Sequence, residues 1–182
     1  MHLQVDSSSE ALRKTVILSI FGAVAVVLSI VESIIPFFSV PGAKLGLSNI
    51  MVLTCLYFFK GRDTFTLIVL KTILTAIIFG TFSSFLFSFM GSLFSFIVMF
   101  SLTRLGKDNF STIGISVYGG IAHNIGQLAA AFIVIKSSII FSYLPVLMIT
   151  GIATGVFIGY ATHHLVNSLS KLPLFKPYES RL

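Results

Sequence analysis

The chain has 182 residues and a formal net charge of +6, with charged side chains at only 10% of positions and hydrophobic ones at 55%. Its mean hydropathy is +1.01, whereas soluble domains carry about a quarter charged residues, so this composition excludes an ordinary water-soluble domain. The basic balance is expected from topology determinants rather than nucleic-acid binding, because no basic patch alternates with stacking aromatics. The single cysteine, Cys55, excludes an intramolecular disulfide and a thiolate metal site.

Long apolar runs predict an all-α polytopic membrane protein, because a helix needs about 20 mainly apolar residues to cross a bilayer. Six spans are predicted, at residues 15–35, 45–59, 64–80, 83–103, 112–135 and 142–169, of which the second is the shortest. They divide the chain into an N-terminal segment (1–14), a transmembrane domain (15–169) and a C-terminal tail (170–182). The first run can span by itself and ends without a small-residue cleavage site, so we expect a retained span.

Lysine and arginine residues predict the orientation, since they are enriched in cytoplasmic loops. Nine of them lie on one side of the predicted spans: Arg13, Lys14, Lys60, Arg62, Arg104, Lys107, Lys171, Lys176 and Arg181. Only Lys44 and Lys136 lie on the other side. This asymmetry predicts that both termini are cytoplasmic, and we expect the chain in the plasma membrane of a bacterium.

The segment after the first span carries polar residues that a ligand could reach from outside. Glu32 lies near the end of that span, and Lys44 and Asn49 lie in the glycine-containing run that leads into the second span. Glycine permits the tight backbone turns expected there. We expect Glu32 to pair with Lys44 or with Lys71, and the alternative is that these residues are interface charges in water.

Lys71 falls inside the third span. Insertion scales assign a cost of about 2.5 to 3.5 kcal/mol to a basic side chain near mid-membrane, and such a residue usually faces the interior of the bundle. The position predicts a counter-ion for an anionic substrate or a carboxylate partner. The alternative is a lysine that snorkels to the interface.

The fifth span carries three polar residues, His123, Asn124 and Gln127, in an otherwise apolar helix. Spacings of three and four residues allow all three to share one helical face. The pattern predicts the wall of a cavity with hydrogen-bond donors and acceptors. The alternative is hydrogen bonding between helices, worth about 0.6 to 2 kcal/mol per bond.

Small residues four positions apart predict faces for close helix packing. In the last span these are Gly151, Gly155 and Gly159, and the first span has a weaker version with Ser19 and Ala23. Internal packing is the expected role of the glycine seam. A docking face for another subunit is the alternative.

The parts that an enzyme would need are not found together in the sequence. The aspartates, Asp6, Asp63 and Asp108, are isolated, whereas a magnesium-bound diphosphate is held by clustered carboxylates. The segment 114–118 lacks the second glycine of a nucleophile elbow, and no phosphate-binding glycine loop with a lysine and a hydroxyl occurs. His163 and His164 are adjacent and so lie on different helix faces. We therefore expect no enzyme activity, no metal and no cofactor.

Four ordered motifs resemble the Gx transporter family, which is also labelled heptaprenyl diphosphate synthase component I. They are residues 31–36 (VESIIP), 41–49 (PGAKLGLSN), 79–82 (FGTF) and 119–127 (GGIAHNIGQ). The resemblance covers residues 15–167.

The resemblance implies similarity to the substrate-binding S-components of energy-coupling-factor (ECF) transporters. Those are small six-helix membrane proteins that capture vitamins or related molecules from outside and dock on a transmembrane scaffold subunit driven by two ATPases. The resemblance also implies a docking face on the first helix near Ser19, Gly22 and Ala23, where a serine replaces one of the alanines usual in S-components. The synthase label implies instead a partner that carries catalysis.

We therefore expect a substrate-binding subunit that captures a small anionic, partly apolar molecule, such as a quinone or isoprenoid precursor or a vitamin. Lys71 and Lys44 are the expected charge partners, and His123, Asn124 and Gln127 are expected to orient the ligand. The expected partners are the bilayer, the ECF scaffold subunit and two ATP-binding subunits. The alternatives are a non-catalytic membrane subunit of a heptaprenyl diphosphate synthase in isoprenoid or menaquinone synthesis, and a secondary carrier coupled through Glu32.

Overall fold

The structure is a computed structural model that describes residues 2–34, 44–79, 81–106 and 109–181. Its described residues form six α-helices and no strand, which confirms the predicted all-α class. The helices are α1 (His2–Ile34), α2 (Asn49–Phe58), α3 (Gly61–Phe79), α4 (Phe82–Leu105), α5 (Thr112–Ile135) and α6 (Leu144–Ser170), with 3-10 helices at Ser138–Tyr143 and Lys176–Arg181. Residues 35–43, Gly80, Lys107, Asp108 and Leu182 lie outside the described residues, and with them parts of the motifs at 31–36, 41–49 and 79–82.

Four helical segments are long and apolar enough to cross a membrane, so the protein is membrane-embedded. They are Ser9–Ile34, Phe82–Leu105, Thr112–Ile135 and Ser138–Ser170. The third helix, α3, has 19 residues and is about 28 Å long, but it differs from the four because it carries three charged residues, Arg62, Asp63 and Lys71. The first helix extends back to His2, so the predicted N-terminal segment is continuous with it.

The prediction of a full second span at residues 45–59 is wrong. Helix α2 has only 10 residues, or about 15 Å, which is half of the roughly 30 Å hydrocarbon core. The residues before it, 44–48, are non-helical, and Gly46 has a φ of 79° that an α-helix does not contain. None of the α2 residues is exposed. The segment is therefore a short helix enclosed by the other five.

The glycine seam of α6 packs against α5. A methyl group on Gly155 would lie 2.6 Å from Val117 Cα, and one on Gly120 would lie 2.4 Å from Gly151 O, so the two backbones touch. On α1, Ser19 and Ala23 are exposed. Gly22 is instead buried, with a methyl position 3.8 Å from Leu70 of α3.

One end of the bundle carries the described chain ends and most of the basic residues. Lys14 of α1 forms an ion pair with Asp63 of α3 at 2.7 Å. After α6 the chain returns to the end of α2. There Phe175 packs on Phe58 and Phe21 and is only 3% exposed. Within the predicted C-terminal tail, Phe175 is therefore part of the core, whereas residues 171–174, Lys176 and Pro177 are exposed.

A buried polar cluster at the start of α2

The polar residues predicted to bind a ligand largely converge at one place, which we call the polar cluster. Lys71 lies ten residues into α3 and Asn49 begins the 10-residue α2, so both stand about 15 Å from the end of the bundle that carries the chain ends. This distance is about half of the roughly 30 Å thickness of a bilayer's hydrocarbon core. The polar cluster consists of Glu32, Lys44, Ser48, Asn49, Lys71, His123 and Gln127.

Two glycines make room for the polar cluster. Gly46 adopts a left-handed φ of 79°, and a methyl group there would lie 3.0 Å from Asn49 Nδ2 and 3.2 Å from His123 Cδ2. Gly91 of α4 faces the same ring, since its methyl group would lie 2.7 Å from His123 Cε1. Gly91 and Ser48 were not among the residues predicted from the sequence. For Gly91 a signal exists, because it lies among buried serines of an otherwise apolar helix.

Glu32 holds the non-helical segment rather than an ammonium group. Its carboxylate accepts a hydrogen bond from the Gly46 N–H, and the side chain is buried. Among the described residues it forms no ion pair within 4 Å with Lys44 or Lys71, although it interacts electrostatically with both. Within the part of the chain that the structure describes, neither lysine therefore has a charged partner in direct contact.

Lys71 faces the inside of the bundle. Only 1% of the residue is exposed, and its Nζ donates to Ser48 Oγ at 2.5 Å. A snorkelling side chain would carry the ammonium group to an interface, so the structure does not support that alternative. One hydroxyl acceptor leaves two of the three N–H groups without a hydrogen bond to the described residues.

Lys44 lies in the non-helical segment and brings a second ammonium group. Its backbone N–H donates to Gln127 Oε1 at 3.1 Å, whereas its buried Nζ has no hydrogen-bond partner among the described residues. The Nζ lies 5.6 Å from the centroid of the Phe79 ring. Among the described residues, the ammonium group therefore has no anionic partner within 4 Å.

The three polar residues of α5 separate into two groups. His123 Nε2 lies 3.1 Å from Gln127 Nε2, and His123 Nδ1 lies 3.3 Å from the Asn49 amide, which links α5 to the start of α2. Asn124 points away and donates from Nδ2 to Leu147 O at 2.5 Å in α6. Asn124 therefore forms a hydrogen bond between helices, which was the alternative role for this residue. It is not part of the polar cluster.

The polar cluster has an excess of positive charge. Lys44 and Lys71 carry two formal positive charges and Glu32 one negative charge, while Asn49 and Gln127 are uncharged. Buried charge is costly unless it is paired, so a buried excess of one positive charge favours a bound anion. The described residues contain no group of three or more histidine, cysteine, aspartate or glutamate side chains that could hold a metal ion.

Comparison with known proteins gives one family. The family model for heptaprenyl diphosphate synthase component I matches residues 21–165, a stretch that contains every residue of the polar cluster. No curated protein and no solved structure gives a significant match to the chain. Because the match extends over most of the sequence, the chain belongs to the heptaprenyl diphosphate synthase component I family.

Proposed function

We propose that this protein is a substrate-binding membrane subunit, similar to the S-components of ECF transporters, that captures a small anionic and partly apolar molecule from outside. The observation that carries the proposal is the formal excess of positive charge in the polar cluster at mid-membrane depth, where the Lys44 Nζ has no hydrogen-bond partner among the described residues. A ligand carboxylate or phosphate would supply that partner. The Phe79 ring beside Lys44 offers contact to an apolar part of the ligand.

The short helix α2 supports a binding role as well. Non-helical backbone at membrane depth occurs where it is enclosed by protein or lines a cavity, and transporters commonly bind substrates at such interrupted helices. Segment 44–48 satisfies this condition, because Gly46, Ser48 and Asn49 are buried and bonded to neighbouring elements. An S-component would use this site on the outer side and obtain energy from partner subunits.

The proposed partners are a transmembrane scaffold subunit and two ATP-binding subunits. Ser19 and Ala23, on the exposed face of α1, offer the scaffold a surface of small side chains. The test is affinity purification of the tagged chain from its native membrane in mild detergent, followed by mass spectrometry of bound proteins and small molecules. Recovery of a scaffold with two ATPases supports the proposal, whereas recovery of a soluble prenyl synthase without ATPases would overturn it.

The role of the polar cluster is tested by Lys71→Met, which removes one ammonium group and keeps the length of the side chain. Uptake of the copurified small molecule is expected to be lost in this variant. The matched control is Lys136→Met, because Lys136 is exposed at the end of α5 and lies outside the polar cluster. Uptake at normal affinity by a folded Lys71→Met variant would remove Lys71 from the site.

The second candidate function is a non-catalytic membrane subunit of a heptaprenyl diphosphate synthase, which the family name favours. One structural observation is compatible with it, namely an apolar cavity of about 380 Å³ between α5 and the start of α6. An isoprenoid chain could lie in such a cavity. Its lining residues are Ile125, Leu128, Ala129, Phe132, Ile133, Phe141 and Leu144. Copurification with a catalytic synthase subunit would support this function.

A further inference from the structure

We infer that the ligand of the polar cluster is a monocarboxylate rather than a diphosphate, and that Asn49, Lys44 and Lys71 bind it with N–H donors. We also infer that His123 and Gln127 are positioning residues that turn the Asn49 amide toward the ligand. Both inferences rest on the proposed capture of an anion. They follow from the chain of hydrogen bonds that joins Lys44 to Gln127, Gln127 to His123 and His123 to Asn49.

The Gln127 amide has only one possible orientation. The Lys44 backbone N–H lies 3.1 Å from one end of this amide, and because an N–H can only donate, that end is the oxygen Oε1. The other end is then the NH₂ group, which lies 3.1 Å from His123 Nε2. Gln127 therefore donates to the histidine ring.

This orientation of Gln127 determines the tautomer of His123. A neutral imidazole has one nitrogen that donates and one that accepts. Since Nε2 receives the Gln127 N–H, it is the accepting nitrogen, and the ring hydrogen is on Nδ1. A doubly protonated ring would bring a second N–H against Gln127 and a third positive charge into a cluster that already has an excess.

The tautomer in turn determines the orientation of Asn49. His123 also forms a hydrogen bond with the Gly91 backbone, and a carbonyl acceptor there agrees with a hydrogen on Nδ1. The amide position now occupied by Nδ2 lies 3.3 Å from the same Nδ1, where an N–H group of Asn49 would be unfavourable. A rotation of the amide by 180° exchanges its oxygen and nitrogen and places the oxygen there as an acceptor. The NH₂ group then occupies the position of Oδ1, which is buried and has no partner among the described residues.

The polar atoms of Lys44, Lys71 and Asn49 that have no hydrogen bond to the described residues are then all donors. They are the Nζ of Lys44, two N–H groups of Lys71 and the NH₂ group of Asn49. The one carboxylate, Glu32, is occupied by the backbone N–H groups of Gly46 and Leu47. Such a set of donors fits a carboxylate, whose oxygens only accept.

The charge of the polar cluster distinguishes a carboxylate from a diphosphate. One carboxylate neutralises the formal excess of one positive charge. A phosphate monoester carries about −1.5 to −2 at pH 7 and a diphosphate carries more, which would leave an unpaired negative charge buried in the bundle. Diphosphates are usually neutralised by Mg²⁺ on carboxylates or by arginine. The polar cluster contains no arginine, and the part of the chain that the structure describes has no acidic metal-binding group.

Three probes with one common chain test the ligand class. Binding of octanoate, octyl phosphate and octanol to the full chain in neutral-lipid nanodiscs would be measured by calorimetry, with Lys71→Met and Lys136→Met as the matched pair. We expect octanoate to bind at least tenfold more tightly than octyl phosphate, with this binding lost only in Lys71→Met. Octyl phosphate binding as tightly as octanoate would overturn the inference and leave anion capture intact. Octanol binding as tightly as octanoate, or no binding of either anion, would overturn anion capture itself.

The tautomer of His123 is tested without any ligand. In protein labelled with ¹⁵N-histidine, ring nitrogen shifts distinguish a hydrogen on Nδ1 from one on Nε2, and a His123→Asn variant assigns the signal among the four histidines of the chain. We expect the Nδ1–H form in the unmodified protein and the Nε2–H form in Gln127→Glu, because a carboxylate accepts but does not donate. An Nε2–H form in the unmodified protein would overturn the positioning role.

Discussion

Replacement of Gly46 by alanine tests whether the non-helical segment creates the polar cluster. Two effects of the added methyl group can be estimated. A left-handed backbone costs a residue with a Cβ about 1–2 kcal/mol, and the contacts of 3.0 Å to Asn49 Nδ2 and 3.2 Å to His123 Cδ2 are tight. Overpacking of a buried site adds about 1–3 kcal/mol. The sum predicts that Gly46→Ala lowers the free energy of unfolding by about 2–5 kcal/mol.

The assay is equilibrium unfolding of the purified protein in mixed detergent micelles, followed by circular dichroism, together with the octanoate titration. Gly22→Ala is the matched control, because Gly22 lies inside α1 and its methyl group would lie 3.8 Å from Leu70 of α3, an ordinary van der Waals distance. In the middle of a helix this exchange is expected to stabilise by about 0.5–1 kcal/mol. Equal stability and equal octanoate affinity of Gly46→Ala and the unmodified protein would refute the argument that Gly46 is required.

Three further substitutions test the packing. Gly120→Ala puts a methyl group 2.4 Å from the Gly151 carbonyl oxygen and is expected to lower the free energy of unfolding by about 2 kcal/mol or more. The control in the same unfolding assay is Gly114→Ala, whose methyl group has its nearest contact at 3.4 Å and should not destabilise the protein. Phe175→Ala is expected to cost about 3–5 kcal/mol and to expose the chain end to protease, and unchanged digestion would contradict its place in the core. Asp63→Asn removes a partly exposed ion pair, so a loss above about 1 kcal/mol would contradict its minor role.

Apolar length predicted the five long helices well, because lipid requires continuous hydrogen-bonded helix. It failed for α2. Leu45 and Leu47 extend the apolar run of α2, so hydropathy alone joins segment 44–48 to the helix. The bonds that hold this segment apart come from distant residues, since Glu32 binds the Gly46 N–H and Lys71 binds Ser48. Such long-range contacts leave no periodic signal in the sequence.

The site was partly predictable for a related reason. Polar residues in apolar helices indicated Lys71, His123 and Gln127, and each lies in the polar cluster. Helical spacing alone could not separate His123 from Asn124, because neighbouring positions differ by only about 100°. The close approach of α5 and α6 explains why Asn124 lies outside the polar cluster, since it brings Asn124 within reach of the Leu147 carbonyl.

The short helix α2 also has a consequence for how the protein is made. A helix of 10 residues with none exposed to lipid is too short to enter the bilayer as an independent span, for which about 20 residues are needed. The long helices that enclose it follow in the chain, except for α1. We therefore expect the α2 segment to reach its final place only after α3 to α6 have been synthesised and inserted. Lys44, Ser48 and Asn49 would then complete the site late in assembly.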